Sequence, residues 1–262
     1  MYQHLINLYK KTSKHSNYQI LPARLNQIIN GSSLQIKSRF EKERLAYILS
    51  KISVQGKTIL DIGGNTGFFS FELIDNGAVS VDYFEGNNDH ADFVKAAAKI
   101  LDEQKIVIHN SYFTFNNAEL KNLNFSYDIS LLLNVLHHYG YDYGNSEVKI
   151  HEAKEEIIKQ LNLMSSKTKI VVFQLGFNWK GDKTKPLFEN GTKSEMIKFV
   201  EDGTKSNWEI LNIGIAEQVD KGIKYFDLDE KNIERNDKLG EFLNRPIFIL
   251  KSKLIYQNSF HK

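Results

Sequence analysis

The chain has 262 residues, 41% of them hydrophobic and 25% charged, and a net charge of +2; this length suits one large α/β domain, or one such domain with a helical extension. It contains no cysteine, which excludes a disulfide framework, a thiolate zinc site, an iron–sulfur cluster and a cysteine nucleophile. No apolar run approaches the ~18 residues that a membrane span needs, and the first ten residues are too polar for a signal peptide, so a cytoplasmic protein is expected.

The charge is unevenly spread. Residues 1–56 carry nine basic side chains (Lys10, Lys11, Lys14, Arg24, Lys37, Arg39, Lys42, Arg44 and Lys51) against Glu41 and Glu43, a balance of +7 that leaves −5 for the remainder. A basic segment of this kind raises the local concentration of nucleotides, phosphosugars or RNA, although a solvated helix face has the same composition. Residues 1–32 read as a short amphipathic helix followed by a connection through Pro22 and Asn30-Gly31. Ser33 then suits the cap of a helix running to about Ser53, because Phe40, Leu45, Ile48, Leu49 and Ile52 share one face. Gly56 closes this N-terminal helical extension, and residues 57–262 are expected to form the main domain.

From Thr58 onward, short apolar strands alternate with helices. Strands are predicted at 58–62, 79–84, 105–110, 127–133, 169–173, 210–215 and 246–250, the last with an extension toward Tyr256. Helices are predicted at 66–76, 89–101, 146–164 and 192–201. This alternation implies a doubly wound, seven-stranded, mostly parallel sheet with helices on both faces. No helical pattern separates the sixth and seventh strands, which predicts antiparallel pairing of those two. The polar stretch from Val219 to Gly240 then reads as a surface excursion.

The chemistry concentrates at strand ends. In Ile59-Leu-Asp-Ile-Gly-Gly-Asn-Thr-Gly-Phe-Phe-Ser70 a buried strand ends in an acid, passes through a glycine turn and opens into a helix. Such a turn lets backbone amides approach a ligand closely. A dinucleotide fingerprint would require glycine where Asn65 stands, and a terminal Gly-Lys-Ser/Thr for phosphate is missing. Asp61 suits the ammonium of an amino-acid moiety. The second strand ends at Glu85-Gly86, 24 residues after Asp61, and a carboxylate there can accept both hydroxyl hydrogens of a ribose.

The segment resembles motif I of the class I S-adenosylmethionine-dependent methyltransferases, Asp/Glu-x-Gly-x-Gly-x-Gly. Asp61, Gly63 and Gly67 match, Gly64 lies within the turn, and Asn65 departs from the middle glycine while tolerating the left-handed region. The resemblance implies S-adenosylmethionine as cofactor, with Glu85 on the ribose, Asn110 near the adenine and Asn134 at the amino-acid end. It also places the end of the fourth strand, Asn134-Val-Leu-His-His-Tyr-Gly140, beside the transferred methyl group. His137 or His138 there suits a general base, the alternative being one loop-capping and one exposed histidine. Adjacent histidines alone do not make a metal site, and none is expected. Methyltransferases of exocyclic or amide nitrogens commonly carry Asn/Asp-Pro-Pro-Tyr/Phe at this point, whereas this chain has no proline there. O-methylation of a small molecule or glycan is therefore favoured, with anionic sugar phosphates and nucleotide-linked sugars among the candidate acceptors. Two rival readings are an RNA methyltransferase, suggested by the basic N-terminus, and a non-catalytic adenosylmethionine-binding subunit. Arg39 on the N-terminal helix, and Gln174, Phe177, Asn178 and Trp179 after the fifth strand, are weaker candidates for ligand contact.

Overall fold

The computed structural model describes residues 2–11, 18–29, 34, 36–123 and 126–257. The chain divides into two compact units, Met1–Phe113 and Thr114–Lys262.

The first unit begins with α1 (Tyr2–Lys10), α2 (Ala23–Ile29) and α3 (Glu41–Lys51), then alternates β1 (Thr58–Ile62), α4 (Phe68–Asp75), β2 (Ser80–Phe84), α5 (Asn88–Leu101) and β3 (Ile106–His109). Its strands are parallel and ordered β3-β2-β1, with Asp61 opposite Tyr83 and Ile62 opposite Phe84. Ile59, Leu60, Val81 and Tyr83 are fully buried, the pattern of strands covered on both faces rather than one. The N-terminal helices dock onto this unit through Tyr9, whose ring meets Phe93 edge-on at 5.5 Å, and through ion pairs. Lys11 reaches Asp89 at 2.6 Å, and Arg24 reaches Asp75 at 2.8 Å and Glu103 at 3.1 Å. The α3 helix starts later than expected. Phe40 adopts a left-handed conformation (φ 57°) immediately before it, and the expected cap Ser33, like Lys14 and Asn30-Gly31, lies outside the described residues.

The second unit contains α6 (Asn117–Asn122), β4 (Tyr127–Leu133), α7 (Ile150–Leu163), β5 (Thr168–Gln174), α8 (Lys193–Thr204), β6 (Trp208–Val219), β7 (Gly222–Asp227), α9 (Gly240–Leu243), β8 (Ile247–Ser252) and α10 (Lys253–Gln257). Its strand order is β4-β5-β8-β6-β7. β4 and β5 pair in parallel, and β8 inserts antiparallel between β5 and β6, as the missing crossover helix requires. The strands therefore number eight among the described residues, not seven. The additional strand, β7, forms a hairpin with β6 inside the stretch expected to be an excursion. Beyond β8 the chain turns into α10 instead of continuing as strand toward Tyr256.

Candidate functional site

In the first unit, the turn after β1 contains three left-handed residues: Gly63 (φ 71°), Asn65 (φ 53°) and Gly67 (φ 78°). Asparagine is among the few non-glycine residues that take this conformation readily, so the departure from glycine at 65 leaves the backbone path intact. Gly64 is required for a different reason. A β-carbon there would sit 2.4 Å from the Tyr83 ring and 2.9 Å from Asp61 Oδ2. The Tyr83 hydroxyl donates to the Asn65 carbonyl, and Gly63 N–H donates to the Phe84 carbonyl at 2.8 Å, so the tip of β2 carries the turn.

Glu85 organises both loops. Its Oε2 accepts the Asn65 N–H at 2.8 Å and its Oε1 accepts the Asn87 N–H at 2.8 Å. The residue is 8% exposed, and each oxygen retains a lone-pair site for a further donor. His90, in the first turn of α5, places Nδ1 3.9 Å from Glu85 Oε2. Asn87 caps this helix, its side chain accepting from Asp89 N–H and His90 N–H.

Asp61 is 3% exposed and accepts the Ser70 hydroxyl at 2.6 Å. Burial pushes its carboxyl up to about 6, the Ser70 hydrogen bond opposes the shift, and the nearby Glu85 charge adds to it. A buried carboxylate so poorly compensated is suited to a cationic ligand. Asn110, one residue past β3, is exposed, whereas the Tyr112 ring lies against Gly86, 2.3 Å from where a β-carbon would stand. Gln19, which sequence reasoning did not single out, accepts Phe68 N–H at 3.2 Å and the Thr66 hydroxyl at 3.3 Å. It thereby supplies the α4 cap that Gly67, having no side chain, cannot. Arg39 places its guanidinium 4.7 Å over the Tyr18 ring.

In the second unit, β4 ends at Asn134, again left-handed (φ 66°), and the 3-10 turn Leu136–His138 follows. The two histidines differ sharply. His137 is 2% exposed; its Nδ1 accepts the Gly176 N–H at 3.3 Å, and its ring packs against the Gly176 backbone. His138 places Nδ1 3.3 Å from Asp142 Oδ2. Trp179 fixes the same segment by donating its indole N–H to the Tyr139 carbonyl at 2.8 Å, and Lys180 Nζ lies 4.2 Å over the indole. Among the post-β5 candidates, Gln174 is wholly buried, Phe177 and Trp179 are core residues, and Asn178 forms a β-bridge with Pro186. Arg245 and Glu241, absent from the sequence candidates, complete the surroundings of Asn134. Arg245 Nη1 donates to Asn134 Oδ1 at 2.7 Å. No cluster of three or more potential metal-ligating side chains occurs among the described residues, and no described helix is long and apolar enough to cross a membrane.

No family model matches the chain, and no curated protein matches it by sequence. Among solved structures, WbdD in complex with the kinase inhibitor LY294002 is similar with a TM-score of 0.59 at 12% identity, over 94% of this chain and 47% of that one. SMU.776, described as a methyltransferase and solved with S-adenosylhomocysteine, gives a TM-score of 0.50 at 15% identity, over 79% of this chain and 48% of that one. The chain thus spans about half the length of both. A magnesium protoporphyrin IX methyltransferase from Synechocystis PCC 6803, with bound S-adenosylmethionine, gives 0.49 at 14% identity, over 89% and 86%. Alternating α/β elements, a glycine turn after β1, an acid at the tip of β2 and a final antiparallel strand between β5 and β6 together make this the fold of the class I S-adenosylmethionine-dependent methyltransferases.

Proposed function

We propose that the chain is an S-adenosylmethionine-dependent methyltransferase acting on a hydroxyl of a small molecule or glycan. The observation that carries this reading is Glu85, a buried carboxylate held by one main-chain amide from each of two loops. It keeps the acceptor capacity that a vicinal diol requires. Asp61 supports the same ligand, because an ammonium nearby would relieve the burial that lifts its carboxyl. The left-handed turn through Gly63, Gly64, Asn65 and Gly67 admits a close backbone approach. Asn134 is assigned the amino-acid end of the cofactor and Asn110 the adenine edge, both on the strength of the resemblance.

When bound, the cofactor supplies an electrophilic methyl group on a sulfonium. The chain's own task is alignment and removal of the acceptor proton. His138 is the base in this reading. Asp142 Oδ2, 3.3 Å from its Nδ1, sets a negative charge where it supports the imidazolium that forms. His137 is assigned a structural part, since its Nδ1 is already an acceptor for Gly176 and its ring is buried. A small or glycan acceptor is favoured over RNA because part of the basic N-terminus is already committed: Lys11, Arg24 and Arg44 each pair with an acid.

The reading is tested by incubating the protein with methyl-labelled S-adenosylmethionine and separate pools of hydroxylated small molecules, sugar phosphates, glycans and RNA. Label should enter the first three pools preferentially, with little dependence on salt. Labelling of RNA alone, falling steeply as salt rises, would give the substrate to the rival reading.

A further inference from the structure

The turn after β4 is fixed by a residue 111 positions further along the chain. Arg245 donates through Nη1 to Asn134 Oδ1 at 2.7 Å, Asn134 Nδ2 donates to Gln174 Oε1 at 2.8 Å, and Gln174 Nε2 donates to the Arg245 carbonyl at 3.0 Å. These three bonds close a ring. Because a guanidinium only donates, the atom of Asn134 that faces it is the oxygen, and the orientation of both amides follows. Glu241 holds the guanidinium from its other edge, accepting Nε at 3.0 Å and Nη2 at 2.6 Å, and it also accepts the Phe177 N–H at 3.1 Å. Burial pushes the Glu241 carboxyl up, but the Arg245 charge and hydrogen bonds, with the Phe177 amide, hold it below the usual range. One ion pair thus joins the end of β4, the loop after β5 and the entry to β8.

Stability does not by itself explain this arrangement. The Arg245 side chain is 12% exposed and that of Glu241 27%, and an ion pair drawn partly out of water gains little once the desolvation of both charges is counted. It does give a single geometry to a left-handed residue at the strand end where the proposed chemistry sits. We propose that Arg245 is a positioning residue that sets the Asn134 amide for the amino-acid end of the cofactor, so that it governs recognition of that end alone. The inference rests on the methyltransferase reading given above.

The test compares two ligands by calorimetry: S-adenosylhomocysteine, and 5′-methylthioadenosine, which keeps the adenosine but lacks the amino-acid portion. Arg245→Met should weaken S-adenosylhomocysteine by about tenfold, the loss of one charge-assisted contact, and leave methylthioadenosine within about twofold. Arg245→Lys should recover part of the loss, since an ammonium can still donate. The exchange Glu241→Arg with Arg245→Glu guards against a fold defect. It should recover part of the melting temperature lost in Arg245→Met through the restored ion pair, the Phe177 N–H having lost its Glu241 acceptor, yet not the S-adenosylhomocysteine affinity, because a carboxylate then faces Asn134 Oδ1. The proposal is overturned if Arg245→Met leaves S-adenosylhomocysteine binding unchanged. It is equally overturned if both ligands weaken together in step with melting temperature, or if the charge exchange restores affinity. Wild-type protein that binds neither ligand would overturn the methyltransferase reading itself, and this inference with it.

Discussion

The turns after β1 and β4 both leave a strand through left-handed residues, but the weight of their support differs. After β1, the turn is secured largely through its own main-chain amides: Asn65 N–H meets Glu85, Gly63 N–H meets Phe84, and Phe68 N–H meets Gln19 from well upstream, while Ser70 meets Asp61. After β4, Asn134 is secured by its N–H on the Gln174 carbonyl and, in addition, through its side-chain amide, one partner of which comes from just ahead of the last strand. The first turn also retains a buried acid whose charge, among the described residues, only the Ser70 hydroxyl offsets, whereas the second is neutralised within its own network. A pocket built for a ligand can leave charge for that ligand to balance; a turn that must present a base or an amide in one geometry is better closed on itself. The first pattern implies sensitivity to the ligand, the second sensitivity to distant substitutions.

The largest effect is expected at the two histidines. If His138 is the base, His138→Ala should lower single-turnover methyl transfer by about 100- to 10,000-fold. S-adenosylhomocysteine affinity should be retained. His137→Ala should act instead through stability, since it leaves Gly176 N–H without its acceptor. A slow His137 variant beside a fast His138 variant would exchange the roles. The rate with wild-type protein should also fall as acid protonates the base.

A smaller effect sharpens the account of Asp61. Its folded pKa of about 6 stands above the ordinary 3.8, so the stability associated with its protonated form is complete below about pH 4 and is lost as pH rises through about 6. Two pKa units correspond to about 3 kcal/mol as an upper figure. Asp61→Asn should therefore stabilise the ligand-free protein at neutral pH by up to that amount, flatten the stability profile between about pH 4 and 6 and weaken cofactor binding. Denaturant titrations across that range check it. An Asn variant less stable than wild type at pH 7.5 would show that the Ser70–Asp61 bond outweighs the burial of charge.

How much of this was legible in the sequence depended on how local the determining contacts are. The limits of β1 and β4 are legible, because Thr58-Ile-Leu-Asp-Ile62 and Tyr127-Asp-Ile-Ser-Leu-Leu-Leu133 are apolar runs that end abruptly in turn residues. The β7 strand was missed because Gly222-Ile-Lys-Tyr-Phe-Asp227 lies at an edge and buries only Tyr225, which leaves no alternation to detect. α3 was begun too early because Phe40 fits the helical spacing but adopts left-handed backbone. Within the candidate site, the acid–glycine turn and Glu85 were visible as spacings. Arg245, Glu241 and Gln19 were not, since nothing near them in sequence distinguishes a network member from an ordinary polar residue. A strand-end asparagine with a positive φ is a weak sign that something distant must hold it, and that sign is readable only in three dimensions.

Calorimetry tests directly whether the β1–β2 cradle binds an adenosylmethionine-type ligand through Glu85. Wild-type protein should bind S-adenosylhomocysteine at one site, while NAD shows no saturable heat. Glu85→Ala should weaken the ligand by about 1–3 kcal/mol through the lost ribose contacts. NAD binding in place of S-adenosylhomocysteine, or equal affinity in wild type and Glu85→Ala, would contradict the account.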